Sequence, residues 1–257
     1  MKVTGAKQLQ RGSLIVFEGC DKSGKTTQVK RIVDNLNKEG IDSKMMRFPD
    51  RTTAIGSIIN QYLTCTKELD DHAIHLLFSA NRWELVPEIK SSLDNGTTVI
   101  IDRYAFSGVA FSAAKPGLSL SWCKQPDIGL PRPDLVCFLD VSEDVAKVRA
   151  DFGGERYEKT EFQQEVRKNY NRLEDSSWKT VSADGNMEEV YTELYNIVKD
   201  CIDRDKKDIA PLWVQEGKVA NPVEERLDEE KEATVPAEEL IVEEKEVAVP
   251  VMELLDN

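Results

Sequence analysis

The sequence predicts an α/β fold: a central five-stranded parallel sheet flanked by helices in three layers, with a small lid. Three observations predict it. Short apolar runs alternate with helix-length amphipathic stretches, a glycine-rich turn joins the first run to the first helix, and glycines recur where helices hand over to strands. Such alternation implies right-handed crossovers and a sheet buried on both faces, with active groups at the carboxyl ends of the strands.

The candidate strands, in order, are 14 to 18 (LIVFE), 44 to 48 (KMMRF), 97 to 102 (TTVIID), 134 to 140 (DLVCFLD) and 178 to 183 (WKTVSA). Each is rich in β-branched or bulky apolar residues and too short for a helix. Between them fall the helix candidates 25 to 39, 54 to 63, 70 to 93, 120 to 124, 143 to 149, 159 to 175 and 187 to 203. Gly40, Gly96 and Gly185 lie in turns that stop helices or join them to strands, as C-cap glycines do.

Length and composition divide the chain of 257 residues into a domain over 1–208 and a tail over 209–257. The net charge is −13, but from Ile209 onward there are 14 acidic against 4 basic side chains, so the tail carries −10 and the domain only −3. A near-neutral domain has no basic field for nucleic acid, which leaves a nucleotide as the better partner. The tail has no aromatic after Trp213 and holds an imperfect duplication, EEKEATVPAEEL and EEKEVAVPVMEL. That composition predicts disorder, with a partner-binding peptide as the alternative. Its partner is unknown. Cys20, Cys65, Cys123, Cys137 and Cys201 are scattered without metal or disulfide spacing, and no run has the length of a membrane span. The expectation is a soluble cytoplasmic protein, with nuclear and mitochondrial pools left open.

The turn after the first strand reads Gly19-Cys20-Asp21-Lys22-Ser23-Gly24-Lys25-Thr26-Thr27 and satisfies the phosphate-loop pattern G-x-x-x-x-G-K-[ST]. Glycines let successive backbone N–H groups turn toward one anion. Lys25 then reaches the β- and γ-phosphates, the Thr26 hydroxyl ligates Mg²⁺, and the following helix offers its positive end. This makes the fold class that of the P-loop NTPases. Cys20, near a helix start, is either a thiol of lowered pKa or a space-filling residue.

A phosphate loop serves motors, switches and kinases alike, so other clusters must discriminate. Asp102 ends a strand, where a carboxylate holds Mg²⁺ through water, and Arg103 follows it. A cation there suits a second phosphate as acceptor; a structural Asp–Arg pair is the alternative. Asp140 is a rival strand-end carboxylate without an adjacent base. Arg51 follows the second strand, and Arg149 and Arg156 bracket a glycine-hinged loop that forms the lid, about 149–158. Arginine forks offset the repulsion between two phosphates, and a closing lid excludes water. Phe78 and Arg82, four residues apart, share a helix face on which a ring stacks on a base and a guanidinium donates to its carbonyl; core packing is the alternative. His72 and His75, the only histidines, receive no catalytic or metal role.

Taken in order, GCDKSGKTTQ, RFPDRTT, HLLFSANRWE, IDRYAFSGVAFSAAK, WCKQPDIGLPRPD and GGERYE resemble a eukaryotic thymidylate kinase over about residues 12 to 205. The resemblance implies a homodimeric nucleoside-monophosphate kinase that converts dTMP to dTDP with ATP and Mg²⁺. By matching position it places thymine on Phe78, bonded to Arg82 and Ser107, and the dTMP phosphate on Arg51 and Arg103. Asp21 contacts the 3′-hydroxyl of the sugar, Phe111 and Tyr157 crowd its 2′ position, and Phe48 and Gln163 sit near the pocket. Lys25, Thr26 and the rest of the loop hold ATP, Asp102 organises Mg²⁺ and its waters, and Arg149 and Arg156 belong to the lid. Two positions depart from the family pattern: Lys22 stands where arginine is usual, keeping charge but losing the fork, and Asp50 stands where glutamate is common. The acidic tail has no counterpart in that pattern. The rival readings are a broader kinase for dUMP or UMP and an inactive nucleotide-binding paralogue acting through its tail. GTPase specificity is disfavoured, because no N-K-x-D sequence is present.

Overall fold

In a computed structural model the chain is described at residues 10–149, 156–157 and 160–214. The five strands are β1 (Leu14–Glu18), β2 (Ser43–Arg47), β3 (Thr98–Asp102), β4 (Leu135–Asp140) and β5 (Trp178–Ser182), all parallel, in the order β2-β3-β1-β4-β5. The helices are α1 (Lys25–Lys38), α2 (Ala54–Leu63), α3 (Asp71–Trp83), α4 (Val86–Asp94), α5 (Ala105–Ala113), α6 (Leu120–Lys124), α7 (Glu143–Val148), α8 (Thr160–Leu173) and α9 (Met187–Ile202).

The alternation within β1 shows how the layers form. Leu14 and Val16 point into a core shared with Ile89, Val109, Val166 and Tyr170, whereas Ile15 and Phe17 join Val29, Ile32, Leu194 and Val198 of α1 and α9. All five residues of β1 are buried, as a strand covered on both faces requires. A separate cluster, Ile59, Tyr62, Leu63 and Ile74, packs α2 on α3.

Two elements differ from the sequence expectation. The helix expected over 70–93 breaks at Glu84 and Leu85, because Pro87, in the first turn of α4, cannot donate the backbone bond that would continue α3. The stretch Ala105–Ala113, which is not among the helix candidates, is α5 and lies against α8. Gly40 and Gly96 have the positive φ of C-cap glycines, 81° and 86°. Gly185 does not; it precedes the Asn186 cap of α9. Residues 209 to 214, expected to leave the domain, pack on it: Leu212 is buried and exchanges backbone bonds with Gly129 and Leu130, and the Trp213 ring lies 5.6 Å from Phe106. The remainder of the expected tail, and the lid apart from Arg149, Arg156 and Tyr157, lie outside the described residues. No helix among the described residues is long and apolar enough to cross a membrane.

Candidate active site

β1 delivers the chain into the glycine loop, and Gly24, at φ 87°, turns it into α1. Five other helices begin with a side-chain cap from Thr53, Asp70, Ser119, Ser142 or Asn186, but α1 has none and no acid in its first turn. Its first N–H groups and positive end therefore face the loop without a side-chain acceptor, as an anion site requires. Lys25 is buried inside the loop and donates to Gly19 O (3.0 Å), Cys20 O (2.7 Å) and Ser23 Oγ (3.0 Å). Burial, with Arg103 adding to it, pushes the Lys25 ammonium down to about 8. Cys20 is not an activated thiol: burial pushes it up against the pull of Lys25.

Asp102 and Arg103 are neighbours in sequence but do not pair with each other. Asp102 ends β3 in register with Arg47 of β2; its Oδ2 accepts from Thr26 Oγ1 at 2.5 Å and lies 3.7 Å from Arg47 Nε. Its Oδ1 is buried with no hydrogen-bond partner. Arg103 takes the left-handed conformation, φ 67°, which few non-glycine residues adopt outside functional sites. Its guanidinium turns across the loop instead, donating from Nη2 to Asp21 Oδ1 (2.5 Å) and from Nη1 to Gly19 O and Ser107 Oγ (both 3.2 Å). Burial opposes the charge, but Asp21 leads the carboxylates that restore it, and the Arg103 pKa is raised. Asp140, the rival strand end, is paired with Arg167 of α8.

A cavity of about 140 Å³ opens beside the loop. Asp21, Phe48, Arg51, Phe78, Arg82, Arg103, Ser107, Phe111 and Tyr157 all line it, so nine of the ten residues assigned to the acceptor by resemblance meet in one place. The tenth, Gln163, holds Asp21 from behind, with Nε2 donating to Asp21 Oδ2 (2.8 Å) and Oε1 accepting from Asp21 N (3.2 Å). Arg47 also lines the cavity and was not foreseen. On the other side of the loop, a second cleft is lined by Lys22, Ser23, Gly24, Thr27 and Arg149, whose Nη2 donates to Ala183 O at 2.6 Å.

Arg156 does not line the cavity. Its guanidinium is forked onto Glu68 (2.9 and 2.6 Å) and sits 4.0 Å over the Tyr62 ring, which ties down its neighbour Tyr157. The Tyr157 ring stacks on Phe162 and meets Phe111 edge-on. Arg82 is not a surface arginine: it is sealed by Asp127, which takes Nε and Nη2, and Ser79 bonds the same carboxylate. Nη1 is the edge of the guanidinium that Asp127 does not take, and Arg82 lines the cavity. Asn81, fully buried, accepts from Asp50 N and donates to Asp50 O, fixing the loop that carries Arg51; Arg51 Nη1 donates to Asn60 Oδ1. Sequence reasoning missed Asp127, Asn81 and Glu18 as supports. Asn81 stands beside Arg82 in the SANRWE run, but the partners of all three are far away in sequence.

Comparison with known proteins gives a consistent result. A family model described as thymidylate kinase matches residues 17–194. A thymidylate kinase of Danio rerio is 47% identical over 208 residues, covering 79% of this chain and 98% of that protein. The thymidylate kinase of Homo sapiens is 46% identical over 208 residues with the same coverages, and that of Schizosaccharomyces pombe is 50% identical over 194 residues, covering 73% and 92%. Among solved structures, a thymidylate kinase from Candida albicans, described as having broad substrate specificity, superposes with a TM-score of 0.72 at 37% identity, covering 78% of this chain and 98% of that one.

Proposed function

The chain belongs to the thymidylate kinase family, and we propose that it phosphorylates dTMP to dTDP by direct transfer of the γ-phosphoryl group of ATP, with Mg²⁺ assisting. The observation that carries this reading is the meeting of Arg51, Arg103, Phe78 and Arg82 in one cavity that also borders the phosphate loop at Asp21. An ATP-hydrolysing site needs no second arginine-lined seat beside its loop; a kinase acting on a nucleotide does.

In the proposed reaction the acceptor oxygen of dTMP attacks the γ-phosphorus, the bond to the β-phosphate oxygen breaks, and ADP leaves. The attacking oxygen is already anionic, so no general base is required. The protein aligns the two phosphates and neutralises their charge. Lys25 and the N-terminal end of α1 hold the donor phosphates, while Arg51 and Arg103 hold the acceptor. Asp21 holds Arg103 through Oδ1 and is itself held by Gln163 through Oδ2, which leaves its remaining lone pairs for the sugar. The ring of Phe78 offers a stacking face to the base, and Arg82 donates to its carbonyl.

Mg²⁺ fits the residues present. The unpartnered Asp102 Oδ1 and the adjacent Thr26 hydroxyl are the oxygens that would hold it. No cluster of three or more His, Cys, Asp or Glu occurs among the described residues, as suits an ion that draws most of its ligands from phosphates and water. When bound, the ion offsets the phosphate charge. A homodimer is proposed on the family resemblance alone, and light scattering tests it. A cytoplasmic location rests on the five free cysteines.

The test is a panel of dTMP, dUMP, UMP and dCMP with ATP, read by ADP release. Acceptor-dependent release with dTMP is expected. Release with UMP equal to that with dTMP would favour the broader kinase, and no release with any acceptor would favour a regulatory nucleotide-binding protein.

A further inference from the structure

Glu18, the last residue of β1, is fully buried and does not line the cavity. A carboxylate in that position needs compensating hydrogen bonds, and Glu18 receives four. Its Oε1 accepts from Tyr104 N (2.9 Å) and Ser107 N (3.0 Å); its Oε2 accepts from Ser107 Oγ (2.5 Å) and Tyr170 OH (3.1 Å). The two amide bonds cap α5, whose own N-cap residue, Tyr104, supplies no side-chain acceptor. Any buried acceptor would serve that purpose. The hydroxyl bonds do something more specific: they commit the Ser107 proton to Glu18, so Ser107 Oγ faces its remaining neighbours as an acceptor. Arg103 Nη1 donates to it.

We propose that Glu18 is a positioning residue for the acceptor nucleotide, which sets the direction of the Ser107 hydroxyl and thereby holds the Arg103 guanidinium in the cavity. The proposal rests on reading that cavity as the dTMP seat. Arg103 is fastened at three points, Gly19 O, Asp21 and Ser107, from a left-handed backbone position; Glu18 governs the third without touching substrate.

Glu18→Gln tests it, because the amide keeps the size of the side chain and one oxygen to cap α5, but sets an NH₂ group against two hydroxyls. Ser107 must then accept from that amide and pass its proton to the Tyr170 oxygen, 2.8 Å away, so the amide competes with Arg103 Nη1 for the Ser107 lone pairs. The expected result is a KM for dTMP raised about tenfold or more, with the KM for ATP within about twofold of wild type. A double-mutant cycle with Ser107→Ala should be non-additive, since both changes act on the same bond. Equal changes in both KM values, additive effects, or a lowered Tm with unchanged dTMP affinity would overturn the proposal. Glu18→Asp, which keeps the charge but withdraws it by one methylene, is the second variant and should show the same split. If neither variant folds, Glu18 serves the fold alone and the proposal falls. Calorimetric binding of dTMP to the wild-type protein separates failure of the substrate reading from failure of the Glu18 assignment.

Discussion

Arg82 and Asp127 meet fork to fork in the sealed interior, with Nε 3.1 Å from Oδ1 and Nη2 2.6 Å from Oδ2, and neither side chain more than 2% exposed. The pair fixes the guanidinium that the proposed function assigns to the base. Asp127→Asn would leave a buried guanidinium without its counter-charge, and unfolding stability should fall by about 3 to 5 kcal/mol. Urea denaturation measures that, and dTMP titration of the surviving folded protein should show weakened binding while ATP binding holds. Unchanged stability would mean that the pair is not closed in solution.

Gly108 lies against the same guanidinium. A Cβ at this position would stand 2.7 Å from Arg82 Nη2. Such a clash is cheap when a side-chain end is free to swing away, but Asp127 holds this one. Gly108→Ala should therefore either push Arg82 off Asp127 or shift α5, costing about 1 to 3 kcal/mol of stability. It should also raise the dTMP requirement more than the ATP requirement. Steady-state kinetics with each substrate varied in turn decides it.

His75 gives the pH dependence of folding. It is fully buried, Nε2 donates to the Cys123 carbonyl, and Nδ1 lies 2.8 Å from Ser112 Oγ, which donates to it when the ring is neutral. Burial, helped by the Arg82 charge, pushes it down to about 4 from an ordinary 6.5. The unfolded chain takes up a proton through this window that the folded protein refuses, so stability falls as pH drops from 6.5 toward 4. The full loss from this one group is about 3 kcal/mol. Urea midpoints at pH 7 and 4.5 should differ more for the wild type than for His75→Gln, and equal slopes would contradict the assignment.

The sequence made the strands and the phosphate loop legible, because a strand buried on both faces writes itself as an apolar run and the loop as spaced glycines. It hid α5 for a physical reason. AFSGVAFSA has no polar face, since it is covered by the sheet and by α8, and its cap comes from Glu18, 86 residues earlier. The break between α3 and α4 is legible in Pro87, which has no N–H to continue α3. In the site, the residues that line the cavity were placed by motif and by family resemblance, but their supports could not be. Asp127 lies 45 residues from Arg82, and Asn81 acts on a loop about 30 residues before it. Arg156 shows the converse: a loop arginine next to glycines suggested a phosphate clamp, whereas its contacts here are with Glu68 and Tyr62.

Asp102 offers the most direct test of the metal assignment. Its Oδ2 is taken by Thr26 Oγ1, while its Oδ1 is buried without a partner. A native fold leaves such an atom unpaired where something else uses it. Asp102→Asn keeps the shape and can still accept from Thr26, but it removes the charge that would order the waters of Mg²⁺. Outer-sphere groups of this kind are worth about 10- to 100-fold in metal affinity or activity. The Mg²⁺ concentration for half-maximal dTMP-dependent turnover should rise by that factor, with dTMP binding in the absence of metal unchanged. If instead the Mg²⁺ requirement stays fixed and dTMP binding weakens, Asp102 acts on the acceptor side, through Arg47, whose Nε is 3.7 Å away.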